Sequence, residues 1–165
     1  MVGFWPLDSQ YGGADLSGNK NHMILHEIIQ HPNEVEFLPT PASFGVIKTS
    51  PSLRLQKKLS WFGSVTVVNL RDGPIFSYGT ATNWGVHIWI YQLQFYMVVD
   101  YETSCGIEIQ YVDELSGGQM FNLGVSVDVV NAVLTMWVNG KNTTKQMAPC
   151  DANLDTAGSV NVGSW

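Results

Sequence analysis

The stretch Ala-Val-Leu-Thr-Met-Trp-Val-Asn-Gly-Lys at residues 132–141 decides the fold. Residues 132–138 are rich in β-branched and aromatic side chains, which favour strands. Asn139-Gly140 is the dipeptide most typical of a two-residue hairpin turn. We therefore predict a strand over 132–138, a tight reversal at Asn139-Gly140 and a return strand from Lys141 onward.

The rest of the chain repeats this strand chemistry. Over residues 106–112, Ile107 and Ile109 alternate with Glu108 and Gln110, which is the period of a half-buried strand. The other predicted strands cover 52–56, 64–70, 73–78, 85–91, 93–101 and 121–130. No segment sustains a helical period; residues 22–30 also fit strands. Many short strands separated by turns predict an all-β antiparallel sandwich or barrel.

The composition agrees with an all-β domain and limits the kinds of partner that it is expected to bind. The 165 residues fit one domain, 1–165, and include 16 Gly and 7 Pro but only 13% charged residues. The net charge of −6 disfavours nucleic acid and anionic membranes as main partners. Calcium ions and basic surfaces remain compatible with this charge as partners.

Membrane insertion is not expected either. The longest apolar stretch, residues 93–99, is interrupted by Gln94 and is far shorter than the ~20 residues of a membrane helix. Residues 1–6 have neither a basic segment nor a sustained apolar one. We expect any secretion signal to have been removed or to lie upstream.

Four groups of residues in order resemble a laminin G-like domain of the concanavalin A-like superfamily, including the modules of secreted invertebrate shell-matrix proteins. They are residues 4–8 and 15–22, residues 72–78 and 84–89, residues 123–128 and 134–141, and residues 160–163.

The resemblance implies a two-sheet jelly roll that works as a non-catalytic binding or assembly module outside cells. It also implies a further closing strand after Gly163, which this sequence does not supply before Trp165. A missing strand would leave a sheet edge exposed for pairing with another chain.

The sequence does not predict an enzyme. Superfamily relatives that hydrolyse β-glucans carry Glu-x-Asp-x-x-Glu on one strand, which projects a carboxylate pair to one face. This motif is absent from the sequence, and the nearest acidic groups, Asp100-Tyr101-Glu102 and Asp113-Glu114, have the wrong spacing.

Asp8, Asp15 and Asn19 form a candidate calcium site. Their oxygens, with nearby backbone carbonyls, are hard ligands of the kind Ca²⁺ prefers, and related domains often bind the ion near this loop. The alternative is an Asx-type turn in which the side chains bond the local backbone and Gly18 takes a positive φ.

Trp84, His87, Trp89 and Tyr91 form a candidate ligand surface on which sugar rings could stack. On a strand, His87, Trp89 and Tyr91 share one face while Val86, Ile88 and Ile90 share the other. If the aliphatic face is inside, the aromatic face is outside and available for contact. The alternative is that a curved sandwich partly buries both.

Two further features concern secretion. Asn142-Thr143-Thr144 is an N-glycosylation sequon in the predicted hairpin. Cys105 and Cys150 could form a disulfide in a secreted protein, but the sequence does not decide whether they pair.

Together these features predict a secreted, non-catalytic extracellular matrix module. Its predicted partners are polysaccharide, matrix protein or calcium carbonate, with a role in biomineralisation. The alternative is a carbohydrate-recognition lectin domain with one defined glycan pocket.

Overall fold

Two antiparallel sheets packed face to face make up the fold in the computed structural model, which describes residues 1–68, 70–79, 85–100, 106–111, 115–148 and 153–163. The described residues form thirteen strands: β1 (Met23–His26), β2 (Ile28–Gln30), β3 (Val35–Phe37), β4 (Phe44–Ile47), β5 (Lys58–Val67), β6 (Gly73–Gly79), β7 (His87–Tyr91), β8 (Gln94–Asp100), β9 (Gly106–Gln110), β10 (Gln119–Asp128), β11 (Val133–Val138), β12 (Lys141–Gln146) and β13 (Ser159–Val162). The predicted all-β, two-sheet antiparallel sandwich is confirmed.

The larger sheet has seven strands in the order β1-β4-β13-β6-β7-β8-β9, and the smaller has four in the order β12-β11-β10-β5. A separate two-stranded sheet pairs β2 with β3. Among the described strands, the edges are therefore β1 and β9 in the larger sheet and β12 and β5 in the smaller one. β13 is an interior strand, hydrogen-bonded to β4 on one side and β6 on the other.

The core lies between the inner faces of the two sheets. Ile88 and Met97 of the larger sheet and Val125 and Met136 of the smaller one have no exposed surface. Two ring pairs span the gap: Phe95 with Phe121 at 5.2 Å between centroids, and Trp61 with Phe76 at 5.6 Å. Period-two alternation along β5, β7 and β11 separates this buried face from an outer one.

The hairpin predicted at residues 132–141 is confirmed. β11 and β12 pair in register, and Asn139 and Gly140 both have positive φ, 49° and 81°. This is the conformation that a two-residue type I′ turn needs.

The predicted strand at 52–56 is wrong. Residues 51–53 form a single 3₁₀ turn that starts at Pro51, and Leu53 is buried. The Leu53 carbonyl accepts a hydrogen bond from the Tyr78 hydroxyl at 3.1 Å. The leucine alternation therefore reflects one buried side chain in a turn.

The strand predicted from residue 64 begins earlier, at Lys58, and runs to Val67. Its whole length pairs with the ten residues of β10. Gly63 and the serines at 60 and 64 weaken the local strand pattern, and the ladder to β10 overrides it. Within the described residues, no helix is long and apolar enough to cross a membrane.

Candidate functional site

The carboxylate of Asp15 organises the N-terminal loop. Its Oδ1 accepts hydrogen bonds from the backbone N–H groups of Phe4 at 2.9 Å and Ser17 at 2.8 Å, and its Oδ2 accepts one from Asn21 at 2.9 Å. Burial raises the pKa of Asp15, but the hydrogen bonds outweigh it and lower the pKa to about 2. The ionised carboxylate therefore holds the loop to the chain start.

Asp8 and Asn19 also bond their local backbone. Oδ1 of Asp8 accepts from the N–H groups of Gln10 and Tyr11, and Nδ2 of Asn19 donates to the carbonyl oxygen of Met1 at 3.0 Å. The bonds from residues 10 and 17 are Asx turns, and Gly18 has a φ of 90°. The loop therefore has the hydrogen bonds and the positive φ that the turn alternative predicts.

The calcium site itself stays a prediction. Among the described residues, no group of three or more His, Cys, Asp or Glu side chains is placed to hold a metal ion. A site at Asp8, Asp15 and Asn19 would depend on carbonyl oxygens and on carboxylates that already accept backbone bonds.

β7 places its side chains on the two faces that its alternation indicates. Ile88 is fully buried and Ile90 is 8% exposed, whereas Tyr91 on the outer face is 44% exposed. His87 and Trp89 are half-buried on that outer face, with their rings 6.0 Å apart. The aromatic face is therefore outside but partly covered. Trp84, the fourth predicted member, lies outside the described residues.

Tyr96 of β8 extends this outer face. It lies opposite Trp89, and its ring is 5.9 Å from that of Tyr91. Its hydroxyl donates a hydrogen bond to the Glu108 carboxylate. Burial, this bond and the charge of Glu108 raise the pKa of Tyr96 to about 12. This face thus carries a negative charge beside its aromatic rings.

A second aromatic surface lies on the outer face of the smaller sheet. Phe62 of β5 and Trp137 of β11 flank Gly124 of β10, with ring centroids 5.8 Å apart and an interplanar angle of 36°. Phe62 is 66% exposed and Trp137 is half-buried. We call these three residues the aromatic platform.

Gly124 makes the platform possible. A Cβ at this position would lie 2.5 Å from Cδ1 and Cε1 of Phe62 and 3.5 Å from Cε3 of Trp137. The absence of a side chain lets the Phe62 ring lie across β10 toward Trp137. Phe62 and Trp137, the cross-strand neighbours of Gly124, can therefore contact each other, whereas a side chain at position 124 would block this contact.

The platform borders an open depression of about 370 Å³. Its lining includes Ser64, Asn122 and Gly140 besides the platform residues. Ser64 Oγ donates to Asn122 Oδ1 at 2.9 Å. The depression is therefore an apolar floor with neutral hydrogen-bonding groups at its side.

The hairpin turn borders the same depression. The N–H of Asn139 donates to the Asn122 carbonyl, and the N–H of Asn122 donates to Asn139 Oδ1, both at 2.9 Å. This reciprocal pair fixes the β11–β12 turn against β10.

Charge is confined to one end of this face. The four strands are described in full, and the charged side chains among their outward-facing residues are Lys58 and Asp128. The Lys58 Nζ lies 2.7 Å from Asp128 Oδ2. The face around the platform is therefore uncharged.

The platform is not among the sites predicted from the sequence. Trp137 lies in a predicted strand, but Phe62 precedes the predicted start of its own strand at residue 64. The sequence does carry a signal for it. Ser60, Ser64 and Thr66 are polar residues at every second position around Phe62, which indicates that Phe62 lies on the same outward face of the strand.

The remaining predicted site residues are the glycosylation residue Asn142 and the two cysteines. Asn142 is exposed on β12, directly opposite Trp137. Cys105 and Cys150 lie outside the described residues, so their pairing stays a prediction.

Comparisons with solved structures identify the class of fold. The binding domain of Paraclostridial Mosquitocidal Protein 1 is similar with a TM-score of 0.80 and 13% identity, covering 98% of this chain and 43% of that one. Domains LG4-5 of the mouse laminin α1 chain give a TM-score of 0.64 and 14% identity, covering 76% of this chain and 33% of that one. The chain therefore shares the β-sandwich fold of these laminin and toxin binding domains.

Toxin binding domains share this fold. The ligand-binding domain of botulinum neurotoxin serotype D, solved with N-acetylneuraminic acid, has a TM-score of 0.74 and 11% identity, covering 95% of this chain and 41% of that one. This chain thus spans less than half of each of these structures. No family model and no curated protein matches the sequence.

Proposed function

We propose that this chain is a non-catalytic carbohydrate-binding module that takes a neutral polysaccharide across the aromatic platform. The observation that carries the proposal is the Phe62–Trp137 pair, with Phe62 exposed and Trp137 half-buried beside Gly124 on an uncharged sheet face. Exposed aromatic surfaces of this kind usually mark contact sites.

The chemistry of the platform fits sugar rings. A pyranose ring has an apolar C–H face that packs on an aromatic ring and hydroxyl groups at its edge. Asn122 and Ser64 supply amide and hydroxyl groups beside the rings. The depression, at about 370 Å³, is within the size range of small-molecule sites.

The same surface is poorly suited to nucleic acid. Stacked bases also use aromatic rings, but they come with phosphates that need Lys or Arg nearby. The cation on this face, Lys58, is paired with Asp128. The side chains that line the depression are uncharged and so provide no acid or base for hydrolysis.

Similar folds that bind glycans support the class of ligand. One is the binding domain of botulinum neurotoxin DC, solved in complex with SialylT, and another is the serotype D domain with N-acetylneuraminic acid. Those ligands belong to those proteins. Because the platform is uncharged, we propose neutral rather than acidic sugars for this chain.

Secretion and a place in an extracellular matrix are part of the proposal. The sequon at Asn142 and the similarity to a laminin domain support them. A biomineral matrix would add calcium carbonate as a partner, contacted through the acidic residues that give the chain its charge of −6.

Co-sedimentation of the unglycosylated chain tests the proposal. Chitin, cellulose and calcium carbonate are each tested with calcium and with chelator, using the native chain, Phe62→Ala and Trp137→Ala. We expect saturable retention on one polysaccharide and at least a tenfold loss in both variants. The matched control is Tyr91→Ala, which removes an exposed ring from the other sheet and leaves retention unchanged.

Other outcomes would redirect the proposal. Retention that survives both platform substitutions but is lost in the Tyr91 variant would move the site to the β7 face. Retention on no polysaccharide, with binding to a matrix protein, would replace carbohydrate by a protein partner. Narrow, saturable recognition of one soluble glycan on an array would favour the lectin alternative.

A further inference from the structure

Asn142 of the predicted sequon lies on the same sheet face as the aromatic platform. Asn142 and Trp137 are direct partners in the β11–β12 ladder, so their side chains project to the same outer face. Directly opposed residues in an antiparallel pair have Cβ atoms about 4.5 to 5.5 Å apart. A sugar attached to Asn142 therefore starts beside the Trp137 ring.

The hairpin holds Asn142 in a fixed direction. Asn139 is bonded to Asn122 at both its backbone N–H and its side-chain oxygen. Thr144, the hydroxyl residue of the sequon, lies opposite Thr135 with their Oγ1 atoms 3.2 Å apart. The first sugar of a glycan on Asn142 would therefore be attached to a paired strand. Gly140, two residues earlier, lines the depression beside the platform.

Access to the acceptor is open. Asn142 is exposed, and β12 is an edge strand of the smaller sheet. Asn142-Thr143-Thr144 is the single sequon in the sequence. A glycan at this position leaves the strand pairing intact.

We infer that an N-linked glycan on Asn142 packs across Trp137 and covers the aromatic platform, so that glycosylation closes the site to polysaccharide. The unmodified chain has the open site, and the modified chain carries its own sugar on it. The gating of polysaccharide rests on the proposed function, whereas the contact between glycan and Trp137 does not.

The contact is tested without any polysaccharide. The chain is secreted from eukaryotic cells and its glycan is trimmed to one N-acetylglucosamine. Thermal unfolding is compared with Asn142→Gln, each with and without Trp137→Ala. We expect the sugar to raise Tm by about 2 to 4 °C only when Trp137 is present. An equal gain with and without Trp137 would overturn the inference.

A second measurement uses the native residues alone. Protons of a sugar that lies over an indole ring shift upfield in the NMR spectrum, and we expect this shift for the trimmed glycan. Unshifted sugar protons would contradict the inference, as would mass spectrometry that finds Asn142 unmodified in the secreted chain. This measurement does not depend on the folding of the Trp137 variant.

A relocated glycan tests the gating. Asn142→Gln combined with Val35→Thr removes the native sequon and creates a new one at Asn33, in the turn of the separate β2–β3 sheet. We expect at least tenfold weaker polysaccharide retention with the glycan at Asn142 and unchanged retention with it at Asn33. Equal retention would overturn the gating. If even the unmodified chain is not retained, the proposed function fails while the contact is still decided by stability and NMR.

Discussion

Gly124 and Phe62 lie directly opposite each other in the β10–β5 ladder, and the Phe62 ring occupies the space that a side chain at position 124 would need. The packing of the Phe62 ring beside the Trp137 ring therefore depends on a residue that has no side chain. This relationship gives a substitution that alters the surface without entering the core.

Gly124→Ala should displace the Phe62 ring. The new Cβ would lie 2.5 Å from the ring carbons, and an exposed phenylalanine can swing away at little cost in stability. We expect native circular dichroism, a Tm within a few degrees of the native chain and at least a tenfold loss of polysaccharide retention. Ser126→Ala, two residues further along the same face, is the control and should retain binding.

Trp89→Ala should affect stability rather than retention. Trp89 is half-buried and packs against His87. Since complete burial of a tryptophan is worth about 3 to 5 kcal/mol, we expect a loss of about 2 kcal/mol, or a Tm lower by about 4 to 8 °C. Calorimetry measures the change in stability, and co-sedimentation measures retention on the polysaccharide. Lost retention at an unchanged Tm would restore the predicted β7 ligand face.

The Asp15 carboxylate should make stability depend on pH. Its folded pKa of about 2 is below the ordinary 3.8, so its contribution is present above pH 4 and is lost as the pH falls through 2. The shift corresponds to roughly 2 kcal/mol. Urea unfolding should show Asp15→Asn less stable than the native chain at pH 7, with the difference shrinking toward pH 2. A constant difference across this range would contradict the assignment.

Calcium binding can be tested at the same loop. If Ca²⁺ binds through Asp8, Asp15 and Asn19, millimolar calcium should raise Tm relative to chelator. Asp8→Asn should remove the rise while keeping the acceptor atom for the Asx turn. Calorimetry that detects no heat, with no change in Tm, would leave these residues as loop-forming groups alone.

Local patterns were sufficient for most of the fold. The Asn139-Gly140 turn and the alternation of β7 are properties of neighbouring residues, and both were predicted correctly. The 3₁₀ turn at 51–53 was missed because the alternation of Leu53 and Leu55 also fits a strand, although Pro51 at the start of the turn is a local signal against one.

The aromatic platform as a whole depends on contacts between strands that are distant in sequence. It needs three strands in register, with Phe62, Gly124 and Trp137 side by side. The local pattern around Phe62 is weak, and its partner strand is what extends β5 to Lys58. Register between distant strands is not contained in the period of either one.

The interior position of β13 has a consequence for biosynthesis. Until residues 159–162 have left the ribosome, β4 and β6 each lack the partner that separates them, and both present open hydrogen-bonding edges. The larger sheet can therefore close only after residues 159–162 have been synthesised, through contacts between parts of the chain that are far apart, which slows folding. Before that, the open edges of β4 and β6 are free to pair with other chains.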